Sequence, residues 1–442
     1  MARYDLLIRN VDILQSDAAA TVLLNHDLAI AAGKIAAIAP AIDPGLAGAT
    51  IDGQGMLATP GMVNAHAHTA MVMLRGSAED VPIERWFNEY IWPMETNLDE
   101  DDIYWGTLLG LAEMIEAGIT CVADHYFAMN RVAQAFESTG MRGLLAWAMF
   151  SGPTEAVSLE RSAAFVDRWQ GAADGRIRTC LGPHAPYTCT PDFLTRSAEC
   201  AAELGVPIHI HLSESAGQVD QSRALYGKTP VAHLRDCGLF EVPTIAAHVG
   251  HPQDDDLDIL AAHGVAVVAT PKTEMKLAIG VTPATELLDR GLTLALGSDG
   301  AASGNSADIL EEARLLALLE KARRADAEAM TIARTLPLMS RAGAKALGLE
   351  GVTGELRVGL QADLVLFRRN MPRIQPIHNP AANLLYSSSS ADVDTVIVAG
   401  RLLLHERRLL TIDKARVLQE VAARAERLTR QSDRRMAHYP IA

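Results

Sequence analysis

A chain of 442 residues, 49% of them hydrophobic, can bury a large core, and its length fits one barrel-sized domain plus an accessory piece. The formal charge of −15 argues against nucleic acid as a partner, because phosphate binding needs a basic surface. Cys121, Cys180, Cys189, Cys200 and Cys237 form no Cys-x-x-Cys pair, which argues against a disulfide framework or a thiolate zinc site and for buried thiols in a reducing cytoplasm.

The chain starts on a strand-like run, Met1-Ala2-Arg3-Tyr4-Asp5-Leu6-Leu7-Ile8, which lacks the form of a signal peptide. No apolar stretch is long enough to span a bilayer, so no membrane partner is expected. Short strands with tight turns are predicted over 6–14, 27–31, 33–38 and 49–52. The same texture returns near 354–356, 362–367 and 393–400. Between these ends, apolar strands alternate with helical stretches, the pattern of βα units. The strands are placed at 61–66, 120–124, 143–148, 178–183, 207–212, 244–248, 265–269 and 293–298. Helices are placed at 101–117, 190–204, 254–262 and 284–290, with a terminal helix at 413–431.

Eight such units predict an α/β chain: a (β/α)8 barrel of the TIM type, with a small β-sandwich-like domain built from both termini. The expected divisions are 1–58 and 356–442 for the small domain and 59–355 for the barrel.

Active groups in such barrels stand at the C-terminal ends of strands. His66 and His68 sit at i and i+2 at the end of the first strand and so share one face. His184 follows the fourth strand, His211 ends the fifth, His248 the sixth and Asp299 the eighth. Read singly, each has a plain alternative: His248 fits a core histidine, and Asp299 before Gly300 fits a turn. Together they respect a rule that scattered residues would not. His209 alternates with His211 and is expected to face away, and His251 and His263 are read as structural.

His66, His68, His211 and Asp299 make a mixed nitrogen and oxygen set for one divalent metal. Such a metal lowers the pKa of a bound water from about 16 towards about 7. Glu214, three residues past His211, can take the water proton and deliver it to a substrate. His248 can donate to or orient the attacking hydroxide, and Asp299 can accept a second proton. No lysine follows the fourth strand to bridge a second metal.

The stretches Pro60-Gly61-Met62-Val63-Asn64-Ala65-His66-Ala67-His68-Thr69, Ile91-Trp92-Pro93-Met94-Glu95, Gly182-Pro183-His184-Ala185-Pro186-Tyr187, His211-Leu212-Ser213-Glu214, Leu296-Gly297-Ser298-Asp299-Gly300 and Ala362-Asp363-Leu364-Val365 carry a resemblance over nearly the whole chain. The chain resembles the amidohydrolase superfamily. Within it, the chain is similar to the cytosine deaminase and chlorohydrolase-like branch, and most of all to the family of 5-methylthioadenosine/S-adenosylhomocysteine deaminases. The resemblance implies zinc, or iron, on His66, His68, His211 and Asp299, with Glu214 as proton shuttle. It implies a small-molecule substrate whose ribose meets Glu95 and His184, with Trp86 as an apolar wall. It implies hydrolytic deamination of an adenine nucleoside thioether, and pairing of subunits into a homo-oligomer.

Two departures bear on the substrate. Where the family has an arginine after the third strand, the equivalent position is read as Trp147, which cannot supply a guanidinium fork. Arg142 and Arg161, nearby in sequence, are no clear replacement. After the seventh strand, Lys272 and Glu274 are expected to bring two extra charges to the pocket mouth. The alternatives are the same machinery on a pterin, an oxidised guanine or a triazine, including dechlorination, and a non-catalytic barrel scaffold. The complete ligand set argues against the scaffold.

Overall fold

The computed structural model describes residues 3–431 apart from 16, 18, 154 and 254. Strands β1 (Tyr4–Leu14), β2 (Val22–Ala31), β3 (Lys34–Ala39), β4 (Ala47–Asp52) and β5 (Met56–Pro60) come first. Next are β6 (Met62–Ala67), β7 (Ile119–Tyr126), β8 (Arg142–Met149), β9 (Ile177–Pro183), β10 (Ile208–Leu212), β11 (Thr244–His248), β12 (Ala266–Ala269) and β13 (Leu294–Leu296). The last are β14 (Leu364–Arg368), β15 (Val393–Val398), β16 (Arg401–His405) and β17 (Arg408–Leu409).

Strands β6 to β13 form one eight-stranded sheet in sequence order, each pair parallel. Its two edges meet where Ala67 bridges Asp299 and the Asp299 amide donates to the His66 carbonyl at 3.0 Å, so the sheet curls into a nearly closed barrel. These strands read as continuous apolar runs because both faces are covered: every residue of β7 and β8 is buried.

Local signals set the helices between them. Asp99 and Asp102 form a capping box at the start of Glu100–Glu116. Thr190 caps Pro191–Leu204, which begins with proline and ends at left-handed Gly205. The predicted helix 254–262 is found as Asp256–Ala262, its first predicted residue lying outside the described ones, as do Met1 and Ala2. The terminal helix is Lys414–Gln431.

The two chain ends share a mixed sheet in the order β17-β16-β15-β14-β5-β1-β2-β3, with β4 on β1. A buried ion pair ties it to the barrel. Arg142 Nε, at the start of β8, donates to Asp363 Oδ2 at 2.8 Å, and Asp363 Oδ1 accepts from the Ala399 amide at 2.6 Å. Each charge is shielded from water, so losing one partner alone would strand the other at a cost of about 3–5 kcal/mol. This explains the Ala-Asp-Leu-Val stretch: its carboxylate is a joint between the sheets.

Inside the barrel, alternate residues stack small apolar groups: Cys121 and Ala123 from β7, Leu144 and Ala146 from β8, Cys180 from β9. Continuing the same alternation brings His125, Ala148 and Gly182 towards the open end. Gly297 has no room for a side chain, since a Cβ there would lie 2.8 Å from His66 Cβ. Among the described residues no helix is long and apolar enough to cross a membrane.

Candidate active site

The C-terminal ends of β6, β10, β11 and β13 bring His66, His68, His211, His248 and Asp299 together. His66 Nε2 and His68 Nε2 lie 3.6 and 3.3 Å from Asp299 Oδ1, and His68 Nε2 lies 3.3 Å from His211 Nε2. His68 Nδ1 donates to the His125 carbonyl at 2.6 Å, and His211 Nδ1 to the His184 carbonyl at 2.8 Å. A carbonyl only accepts, so both Nδ1 atoms carry hydrogen, and in the neutral rings both Nε2 lone pairs face each other. His66 Nε2 is buried without a hydrogen-bond partner. Bare nitrogens converging beside a carboxylate fit a cation. His66, His68 and His211 could hold a metal ion, and His66, His248 and Asp299 form an overlapping set.

The electrostatics agree. Burial pushes His66 down to about 4 and His211 well below its ordinary value, favouring neutral rings. His68 goes the other way, to about 9: burial opposes its charge, but the Asp299 carboxylate facing Nε2 favours a proton, or another positive charge, at that nitrogen. Asp299 is held well below the usual carboxylate range: burial would raise it, but the pull of the His66 and His68 rings facing it, were they to carry a proton, outweighs burial. The centre therefore calls for positive charge beside Asp299. Ser213, His248 and Asp299 hold φ of +47°, +74° and +58° at three strand ends. Non-glycine residues in this region cost on the order of 1–3 kcal/mol each, which the surrounding structure must offset.

Glu214 sits just past β10. Its Oε2 accepts from Gln218 Nε2 at 3.1 Å, the Tyr187 hydroxyl bonds to it, and its Oε1 lies 3.9 Å from His248 Nε2. His248 Nδ1 is 2.9 Å from Thr270 Oγ1, which lies 3.4 Å from Glu274 Oε1. As a carboxylate Glu274 only accepts, so the Thr270 hydrogen points to it and the Thr270 oxygen accepts from His248 Nδ1. His248 Nε2 is thereby turned towards Glu214.

The centre opens into a cavity of about 560 Å³, a normal size for a small-molecule site. Trp86, Glu95, His184, Glu214, His248 and Asp299 all line it. Glu95 Oε1 accepts from the Tyr126 hydroxyl at 2.7 Å, and burial raises its pKa above the ordinary value. Trp86 opens a π-helical turn, Trp86–Ile91, and its buried Nε1 has no partner among the described residues. π-Turns are rare and recur at functional sites. His184 Nδ1 pairs with Thr188 Oγ1 at 2.9 Å, and its ring stacks on Phe150 at 4.5 Å.

The structure corrects three expectations. His209 faces inward, because i and i+2 share a face on β10 as they do on β6; its Nε2 lies 2.9 Å from His66 Nδ1. Trp147 is not at the pocket. It points to the outer side of β8, meeting Phe165 edge-on at 5.9 Å with Arg161 over its ring, while Ala148 and Phe150 line the cavity. Lys272 and Glu274 do not add charge at the mouth. Glu274 is 1% exposed and bonds Thr270 and Thr282, and Lys272 pairs with Glu311. The missed signal for Phe150 was strand parity: it follows Ala148 by two.

A nearly closed parallel barrel, a mixed sheet from the chain ends and a histidine–aspartate centre at the strand ends define a metal-dependent hydrolase architecture. The amidohydrolase family model matches residues 57–403, and the chain belongs to that family. It is 43% identical to a 5-methylthioadenosine/S-adenosylhomocysteine deaminase of Pelotomaculum thermopropionicum, over 96% of this chain and 99% of that one. An adenosine deaminase from Xanthomonas campestris, solved with bound zinc, superposes with a TM-score of 0.93 at 33% identity, covering 97% of this chain and 99% of that one. An atrazine chlorohydrolase from Arthrobacter aurescens TC1 complexed with zinc superposes with a TM-score of 0.89 at 26% identity, covering 95% and 100%.

Proposed function

We propose that the chain is a hydrolytic deaminase of adenine nucleosides bearing a 5′ thioether, such as 5′-methylthioadenosine or S-adenosylhomocysteine, releasing ammonia and leaving an inosine-type product. The observation that carries it is the convergence of His66, His68, His211 and Asp299 beside Glu214, in one cavity with Glu95. The relatives named for this reaction support it.

His66, His68, His211 and Asp299 would hold a divalent metal ion, and a nitrogen-rich set suits zinc, with ferrous iron as the alternative. A cation held there supplies a water acidified towards neutral pH. His209 pins the His66 ring, and the His125 and His184 carbonyls pin the other two, so each ligand is pre-oriented.

Glu214 takes a proton from the attacking water and passes it to ring N1, so C6 gains a bond to oxygen as electron density moves to N1. His248, through the Nε2 that faces Glu214, holds the attacking water in line. Asp299 accepts the second proton, which then goes to the exocyclic amine; the C6–N bond breaks and ammonia leaves. Glu95 accepts from the ribose hydroxyls, a charge-assisted contact. Trp86 walls the nucleoside with its apolar ring, and His184 packs beside the sugar.

The test is ammonia release from a panel of adenine nucleosides, pterins, oxidised guanine and triazines. Adenine nucleosides are expected to be turned over fastest. Turnover of a triazine or pterin alone would replace this reading.

A further inference from the structure

Beyond Glu95 and His184 the cavity wall changes character. Phe150 stacks on His184, Phe127 lies parallel to Phe150 at 6.0 Å, and Trp92 approaches Phe150 at 6.2 Å. Phe87 meets Trp92 edge-on at 4.9 Å and lies 6.3 Å from His184. All four rings line the cavity. They form one continuous aromatic wall adjoining His184 and, through Phe127 and Tyr126 at 5.3 Å, the Glu95 side.

Among the described residues no lysine or arginine lines this cavity, while Glu84 and Glu95 do. Several cations near the lining residues in sequence are paired elsewhere. Arg142 is buried against Asp363, Arg161 lies over Trp147, Lys272 pairs with Glu311, Lys276 with Glu79, and Arg85 with Glu89.

We infer that this end of the site selects nucleosides whose 5′ substituent is small, apolar and uncharged, and discriminates against one ending in a carboxylate. The inference rests on the proposed deaminase reading and narrows it. A methylthio group buries its carbon and sulfur against ring faces and leaves no polar atom unpaired. The amino-acid tail of S-adenosylhomocysteine brings a carboxylate to the same wall. It would shed water without gaining a guanidinium fork, and it would stand near two other carboxylates. A polar group left unpaired in this way lowers affinity by about tenfold to a hundredfold.

The experiment is kcat/KM for ammonia release by the metal-loaded full chain on 5′-methylthioadenosine, 5′-deoxyadenosine and S-adenosylhomocysteine. The expected result is the highest efficiency on 5′-methylthioadenosine, a lower one on 5′-deoxyadenosine, which lacks the buried sulfur and methyl, and a value at least about tenfold below the first on S-adenosylhomocysteine, carried mainly by KM. Phe150→Arg and, at the more exposed edge, Trp92→Arg should each raise the ratio of S-adenosylhomocysteine to 5′-methylthioadenosine turnover. A ratio is read so that loss of folded protein does not imitate the effect. Equal efficiency on all three nucleosides in the unaltered chain would overturn the inference and leave the deaminase reading standing. Absence of turnover on every adenine nucleoside would overturn both.

Discussion

At the inner end of the cavity His68 and His211 are each fixed by a backbone carbonyl on Nδ1 and His66 by His209, whereas the outer end is walled by rings that touch only through faces and edges. The inner groups stand on strand ends of a closed sheet, and the outer ones on the helical segment 83–95 and on residues just past β7 and β8. Hydrogen bonds to a rigid backbone fix position to a fraction of an ångström and so define the chemistry. Aromatic contacts are less directional and change with one substitution, so they define what the chemistry is applied to.

The largest effect should come from the inner end. Glu214→Gln should retain the metal and lower kcat by about 10²–10⁴-fold, read as ammonia release beside metal content. Full activity would remove Glu214 from the mechanism. Thr270→Val breaks the link from Glu274 to His248 without touching a ligand of the proposed centre. We expect kcat to fall by about tenfold to a hundredfold with KM little changed; an unchanged kcat would show that His248 needs no positioning.

At the outer end, Glu95→Ala should raise KM for nucleosides by about tenfold and leave free bases unaffected. An equal effect on both would count against ribose binding. The smallest effect is in pH. Because burial raises the Glu95 pKa, its carboxylate is protonated on acidification sooner than an exposed glutamate whose pKa is 4.5. The ionised form is the better acceptor, so nucleoside KM should rise as pH falls through that raised value. Glu95→Gln should flatten the acid limb, and an unchanged limb would assign it to another group.

Much of this division can be read in the sequence. A histidine or aspartate at a strand end announces itself, which is why His66, His68, His211, His248 and Asp299 are legible. The eight strands are equally plain, because continuous buried runs such as 120–124 leave little alternative. The failures share a cause: they needed side-chain direction, which composition does not carry. His209 and His211 obey the same two-residue rule as His66 and His68. Trp147 is off the pocket because only its neighbours of the other parity face inward. Glu274 looks like a mouth carboxylate until the turn at Thr270 folds it back onto two threonine hydroxyls. The aromatic wall was invisible because its three parts, Phe87 with Trp92, Phe127 and Phe150, lie far apart in the chain and meet only in the fold.

The most direct measurement is metal content and ammonia release, made together, on the purified chain with 5′-methylthioadenosine and on its Asp299→Ala variant. The account predicts about one divalent ion per chain and rapid ammonia release, with both lost in the variant. Full turnover by a metal-free chain, or by Asp299→Ala, would contradict it.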